Sequence, residues 1–398
     1  MLACPATTCP PLGRASTACA QAGAAPGASV SARAMWNRGG CRRIPHHTLG
    51  GGPTGRRLFR CDMHPADAFV NAARAWRHAA AMPLCAPEDQ EHTTMPSPSN
   101  SVRIALLPGD GIGQEVTEAA TFVLEKLARR HAIGIATETL EAGAFAYQAT
   151  GTALSDETFD RAKSADAILL GAMGWPGIRY ADGTEIAPQL DLRFRLDLYA
   201  GVRPIRAIPG VPLPLSHPRA KDIDLVILRE STEGLFYARG RGTVTDDAEA
   251  RDTMLITRAT TERLSRFSFR LAERRAARMG RPQRVTLVDK ANVFTSMAFM
   301  RKVFLEVAAE FPGVPADAHY VDAMALDLIR KPWEFDVLPT ENMFGDILSD
   351  LGAGLIGGMG YAPSADIGDT HAVFQPSHGT GPDIAGKGIA NPTAAILS

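Results

Sequence analysis

The chain has 398 residues, a formal net charge of -1 and 7% aromatic residues. That length supports two domains with buried cores. The near-zero charge gives no case for nucleic acid or an anionic membrane as partner, and no apolar run approaches the roughly 20 residues that span a bilayer. With 37 glycines and few aromatic residues, the composition fits an α/β enzyme better than a β-sandwich.

Residues 1–100 differ from the rest. They are rich in Ala, Pro, Gly and Arg, the first acidic residue is Asp62, and the first lysine is Lys126. Their poor hydrophobic periodicity predicts no packed core. The segment reads as a disordered or spurious extension. An Arg-rich, acid-free start imitates an organelle transit peptide; upstream sequence translated from a misassigned start, with Met95 the better initiator, has the same look. All six cysteines, Cys4 to Cys85, lie here. The body that follows needs no disulfide and has no thiol nucleophile. This agrees with a reducing, cytoplasmic location, organellar only if the transit peptide is genuine.

Order begins at Val102. Residues 102–107 form an apolar run that predicts a buried strand, and Gly109-Asp110-Gly111-Ile112-Gly113 a turn. Apolar spacing predicts a helix over 115–128, then a strand over 133–139. A helix from Ser155 and a strand over 167–170 follow. This alternation implies a mostly parallel sheet covered by helices. Further strands are predicted at 225–228, 285–288 and 337–338, and helices at 257–279, 296–310 and 342–355. The Gly- and Pro-rich stretch 352–363 reads as a loop or domain crossing.

The first glycine cluster is not a dinucleotide fingerprint. G-x-G-x-x-G needs glycine at 114, where Gln114 stands. The acidic cluster carries more. Asp346 and Asp350 are four residues apart on a predicted apolar helix, so they share one face. A hard cation would turn their repulsion into coordination, with Asp322 as a third ligand. No histidine or cysteine is nearby, which favours magnesium or manganese over zinc. Arg193, Arg203 and Arg229 sit among apolar segments, the last two in or just after strands. Such guanidinium groups bind carboxylates bidentately. Lys290 follows a strand end, where a lysine serves as base, proton relay or plain ion-pair partner. The loop from His378 to Asn391 is glycine-rich, and its Asp383 would accept from a ribose diol while repelling a 2′-phosphate, favouring NAD over NADP.

The motifs LLPGDGIGQEV, RESTEG, VDKANV, VDAMALDLI, NMFGDILSDL and HGTGPDIAGKGIANPTAAILS, with LR followed by VRP, occur in one order. Together they resemble the isocitrate/3-isopropylmalate/tartrate family of β-decarboxylating dehydrogenases, from Val102 to the last residue. The resemblance implies that family's two-domain α/β fold, not a Rossmann fold. Residues 101–197 plus 358–398 would form a first, cofactor-side domain, and 198–357 a second that carries dimerisation and metal. It also implies a homodimer with shared active sites. Arg193, Arg203 and Arg229 would bind the malate carboxylates of a hydroxy di- or tricarboxylate. Lys290 and Asp322 would reach in from the second subunit. Asp322, Asp346 and Asp350 would hold Mg²⁺ or Mn²⁺. Asn292 would face the nicotinamide, and His378, Gly379, Gly381, Asp383 and Asn391 the adenosine of NAD. Lys290, or a water it holds, would take the hydroxyl proton. C2 would pass hydride to NAD, and the β-keto acid would lose CO₂.

Three departures stand out. The family's tyrosine seven residues after the RESTEG arginine is Phe236 here, with Tyr237 next as the remaining candidate proton donor. The segment before Arg193 shows neither the serine expected for isocitrate nor an isopropyl pocket. Relatives continue past the position of Ser398, so the first domain is expected to be C-terminally truncated. The competing expectation is a non-catalytic regulatory subunit or pseudoenzyme of the same family.

Overall fold

The structure, a computed structural model, describes residues 101–398. The expectations for residues 1–100 fall outside these described residues. The first strand, β1 (Val102–Gly109), buries Ile104 to Leu107 without alternation. That is the signature of a strand covered on both faces. Gly109 and Gly111 take left-handed backbone, φ +72° and +56°. A Cβ on Gly111 would lie 2.2 Å from the carbonyl oxygen of Thr380. The glycines therefore serve a tight turn and a close approach, not a phosphate cradle. Helix α1 (Gly113–Arg130) follows, with Glu115 in its first turn and Arg129 and Arg130 in its last. Those charges oppose the helix dipole at each end.

Next come β2 (Ile135–Thr139), α2 (Ala144–Thr150), α3 (Asp156–Ser164), β3 (Ala167–Ala172), α4 (Pro188–Arg195), β4 (Ala200–Arg206) and β5 (Asp224–Glu230). An exposed hairpin, β6 (Thr243–Thr245) and β7 (Glu249–Arg251), precedes α5 (Arg258–Met279), β8 (Val285–Asp289) and α6 (Thr295–Ala308). The chain continues through β9 (Ala316–Tyr320), α7 (Val321–Arg330), β10 (Val337–Thr340) and α8 (Asn342–Leu355). It ends in β11 (Pro363–Ile367), β12 (Ala372–Pro376) and α9 (Thr393–Leu397). The expected helix at 342–355 is found with those bounds. The stretch 352–363 is less of a loop than its glycines suggest: helix persists to Leu355 and a single 3₁₀ turn covers Met359–Tyr361.

Ten strands form one sheet in the order β2-β1-β3-β12-β11-β4-β5-β10-β8-β9. Parallel pairing runs through β2-β1-β3-β12 and through β5-β10-β8-β9. The three pairings between these blocks are antiparallel. On β5, Leu225 and Ile227 pack toward Leu348 and Leu355 of α8. The alternate residues Val226 and Leu228 pack toward Phe269 of α5 and Phe304 of α6. Both faces of the centre are thus filled. Among the described residues no helix is long and apolar enough to cross a membrane.

Gly111→Ala should cost at least about 1 kcal/mol, because a Cβ is disfavoured in left-handed backbone before the contact with Thr380 is counted. A denaturant midpoint unchanged from wild type would refute this account of the turn.

Candidate active site

The antiparallel centre of the sheet gathers the charged residues. Gly201 on β4 stands opposite both Asp366 on β11 and Arg229 on β5. Paired residues face the same side, so Asp366, Arg229 and Arg203, two residues beyond Gly201, share one face. The bare backbone at Gly201 leaves that row open. Arg193 enters from the last turn of α4, its Nε 2.8 Å from Asp366 Oδ2. Arg203 Nη2 lies 3.1 Å from Asp366 Oδ1. The Gln375 amide donates to Oδ2 at 2.6 Å. Asp366 is 1% exposed. Burial pushes its carboxyl up, but Arg193 and Arg203 outweigh this and hold it below the usual range.

Arg229 is held separately. Its Nε donates to Asn342 Oδ1 at 2.9 Å, and its Nη1 pairs with Asp346. The Asn342 amide donates in turn to the Glu233 carbonyl. The preceding residue, Glu341, is fully buried. Its carboxylate accepts from the backbone amides of Met343 and Phe344, capping α8, and from that of Leu235. One turn on, Gly345 lets the helix lie against the arginine: a Cβ there would sit 2.7 Å from Arg229 Cβ. Burial, followed by the charge of Arg193, lowers the Arg229 pKa to about 10. Burial also raises the Asp350 carboxyl, and the charge of Asp346 adds to the rise.

A cavity of about 180 Å³ opens here. Arg193, Arg203, Arg229, Asp346, Asp350 and His378 are in its wall. The three expected arginines, both helix aspartates and the His378-Gly379 start of the glycine loop are thereby brought together. Burial lowers the His378 pKa, so the ring is neutral at pH 7.

Other expected residues are not in that wall. Lys290, just after β8, pairs with Asp322 in the first turn of α7. That pair sits where β8 meets the edge strand β9. The hydrogen bond from Lys290 holds the Asp322 carboxyl below its usual range. Within one chain, then, Asp322 does not join Asp346 and Asp350, and no three His, Cys, Asp or Glu side chains among the described residues group to hold a metal. Asn292 is exposed in the turn after Lys290. Asp383 is exposed on the glycine loop, and Gly381 has φ +49°. Asn391 Oδ1 accepts from the amide and hydroxyl of Thr393 at the start of α9.

Tyr237 is not brought to the cavity. Its ring lies under Arg241, 4.1 Å from guanidinium carbon to centroid, and outside the cavity wall. Phe236, also outside that wall, packs on Arg229, whose guanidinium carbon lies 4.9 Å from its ring centroid. Both rings belong to one 3₁₀ turn, Leu235–Ala238, in which adjacent side chains point in different directions.

Asp366, Asn342, Glu341 and Gln375 have no place in the sequence-based expectations. Each is polar and buried, but its partner is remote in sequence, is the backbone or, for Gln375, lies across the β11-β12 pairing. Glu341 alone carries a local signal, an acid at the position that caps a predicted helix.

Glu230, next to Arg229, is 2% exposed. Burial lifts its pKa from 4.5 to about 7, against the pull of hydrogen bonds from Thr232 and Glu233. Between those values the unfolded chain releases the proton first, so stability falls as pH rises through that window. Glu230→Gln should remove this fall, read from denaturant unfolding at pH 5 and pH 8. Equal slopes in variant and wild type would refute it.

Residues 103–398 match the isocitrate/isopropylmalate dehydrogenase family. The 3-isopropylmalate/3-methylmalate dehydrogenase of Methanocaldococcus jannaschii is 44% identical over 299 residues, covering 74% of this chain and 83% of that one. The 3-isopropylmalate dehydrogenase of Moorella thermoacetica is 43% identical, with the same coverage. The isocitrate dehydrogenase structure from Methylococcus capsulatus superposes with a TM-score of 0.64 at 38% identity, over 74% of this chain and 83% of that one. The chain is a member of the isocitrate/isopropylmalate dehydrogenase family.

Proposed function

We propose that the chain catalyses NAD-dependent oxidative decarboxylation of a malate-type 2-hydroxy acid, with Mg²⁺ or Mn²⁺. The candidate acids are 3-isopropylmalate, D-malate, tartrate and isocitrate-like acids. The observation that carries this reading is the convergence of Arg193, Arg203 and Arg229 on one cavity with Asp346 and Asp350. Guanidinium groups fixed by Asp366 and Asn342 present planar forks to substrate carboxylates.

Asp346 and Asp350 fit a divalent cation: two carboxylates share the wall, and the second is destabilised by burial and by the first. When bound, the cation would polarise the hydroxyl to be oxidised and stabilise charge that develops on decarboxylation. The loop 378–391 fits the adenosine half of NAD, which would accept the hydride. Gly379, Gly386 and Gly388 border open space, and the last two have positive φ. Glu115 holds the loop by accepting from the Gly386 amide. Exposed Asp383 disfavours a 2′-phosphate.

Lys290 and Asp322 would come from a second copy, as an ion pair that delivers a proton acceptor and a further ligand. Helices α7 and α8 expose Leu326, Ile329 and Ile347. That face suits pairing of two copies in a homodimer. Two domains are part of the same proposal: 101–197 plus 358–398, with β2, β1, β3, β12 and β11, and 198–357, with the other five strands of the ten-stranded sheet. Tyr237 is given no part in protonation.

NADH formation with Mn²⁺ should be seen with at least one of these acids. Arg229→Gln should cut kcat/KM at least about 100-fold, since it leaves a carboxylate and Asp346 without their shared partner. Asp350→Asn should lose Mn²⁺ uptake by calorimetry. A folded dimer that takes up Mn²⁺ and hydroxy acid but turns none over would favour a non-catalytic subunit, a reading that Phe236 keeps in play. Co-expressed Lys290→Ala and Arg229→Gln chains should recover partial activity, because one site of the mixed dimer is intact. No recovery from verified mixed dimers would sink the shared site.

A further inference from the structure

A lysine that takes a proton must be held in place, because its four-carbon stem is flexible. The end of β8 does this for Lys290 from the opposite face of the sheet. Leu287 packs toward Phe269 and Phe304, and Val288 toward Leu338 and Leu348. By the same alternation Asp289 turns toward α6, and Lys290 toward α7, where Asp322 stands. Asp289 is fully buried. Arg301 of α6 grips both its oxygens, Nε to Oδ2 at 2.7 Å and Nη2 to Oδ1 at 2.6 Å. Asp289 Oδ1 also accepts from the Ala291 amide at 2.9 Å. The Lys290 carbonyl accepts from the amides of Val293 and Phe294. The backbone on both sides of Lys290 is thereby fixed.

Arg301 reaches the other half of the pair as well. Tyr320, across from Asp289 in the β8-β9 register, ends β9 and stands two residues before Asp322. The Arg301 guanidinium carbon lies 5.0 Å from the centroid of the Tyr320 ring, and Lys290 Nζ 6.0 Å. One side chain thus bridges the residue before Lys290 and the end of the strand that leads to Asp322. A buried ion pair is weak evidence for stability, since an apolar pair of similar volume often serves as well. A planar fork that sets two strand ends in one register has no such substitute. We infer that Arg301 is the positioning residue of the Lys290–Asp322 pair: its hold on Asp289 and Tyr320 sets Lys290 Nζ where it would take the hydroxyl proton. This rests on the function proposed above, in which that pair serves a second copy's site. Arg301 itself is not in the cavity wall.

Arg301→Lys keeps the charge and loses the two-pronged grip. With NAD and Mn²⁺ it should lower kcat at least about tenfold, as a catalytic group displaced by about 1 Å does. KM for the acid and for NAD should stay within about twofold. Should that variant not fold, as judged by denaturant unfolding, Tyr320→Leu, which leaves Asp289 paired, repeats the test. Acetylation of Lys290, mapped by mass spectrometry against the exposed Lys126 and Lys387, reads its position directly. Lys290 should react at least about twofold faster in the variant, because a lysine released from a partly exposed ion pair gains freedom. An unchanged kcat overturns the inference. So does a raised KM with kcat intact, which would place Arg301 in ligand binding. A fall in kcat with Lys290 labelling unchanged also overturns it, leaving Arg301 a structural role only. If wild type turns over no acid, the proposed function fails, and the labelling alone decides: faster reaction in the variant upholds the positioning role, and equal rates refute it.

Discussion

Three guanidinium groups in one small cavity repel each other, and the site exists because one carboxylate beneath them does not move. Asp366 is almost completely buried and holds Arg193 and Arg203 at once. Neither partner is dispensable. A buried carboxylate without its cation costs several kcal/mol, and breaking a buried pair typically costs about 3–5 kcal/mol. The Gln375 amide occupies a further lone pair of Asp366, so little freedom is left. The same clamp that stabilises the sheet centre would, on the proposed function, fix where a substrate carboxylate can be received.

The sheet topology decides where such a clamp can be built. Parallel strands have their carboxyl ends on one edge, and side chains of distant strands rarely meet. Here three antiparallel pairings lie between two parallel blocks. They bring a residue near the end of β11 level with residues of β4 and β5. Arg229 then faces α8, whose cap Glu341 also pins the turn at Leu235. Helix, arginine and turn are locked in one register. Phe236 is set against Arg229 by that turn, and the same turn swings Tyr237 out to Arg241.

What the sequence makes legible follows from the range of the interactions involved. Helix α8 can be read from its apolar spacing, and Asp346 and Asp350 from their separation of one turn. Arg203 and Arg229 can be read because a charge inside an apolar strand is conspicuous. Asp366 cannot: its partners lie 163 and 173 residues away, and Pro-Ser-Ala-Asp-Ile looks like a polar connection. Strands β4, β11 and β12 are legible only once paired, for a Gly, a Pro and several polar residues break their alternation. Tyr237 shows the opposite limit: adjacency in sequence suggests a shared position, and a 3₁₀ turn points the two rings apart. Lys290 and Asp322 are legible as residues of interest, but their distance from the cavity is a property of the edge strand β9 that no local pattern reveals.

Charge balance links these parts to the chemistry. In the cavity and its floor, Arg193, Arg203 and Arg229 face Asp346, Asp350 and Asp366, so the formal charges cancel. The balance is uneasy, since Asp346 shares Arg229 while Asp350 is pushed toward protonation. A divalent cation between the two helix aspartates would relieve that strain and leave an excess of two positive charges. A dicarboxylate cancels that excess, and a monocarboxylate does not. Lys290 and Asp322, arriving as a pair, leave the sum unchanged. On the proposed function, selection for a diacid would be electrostatic and shared by the whole cavity.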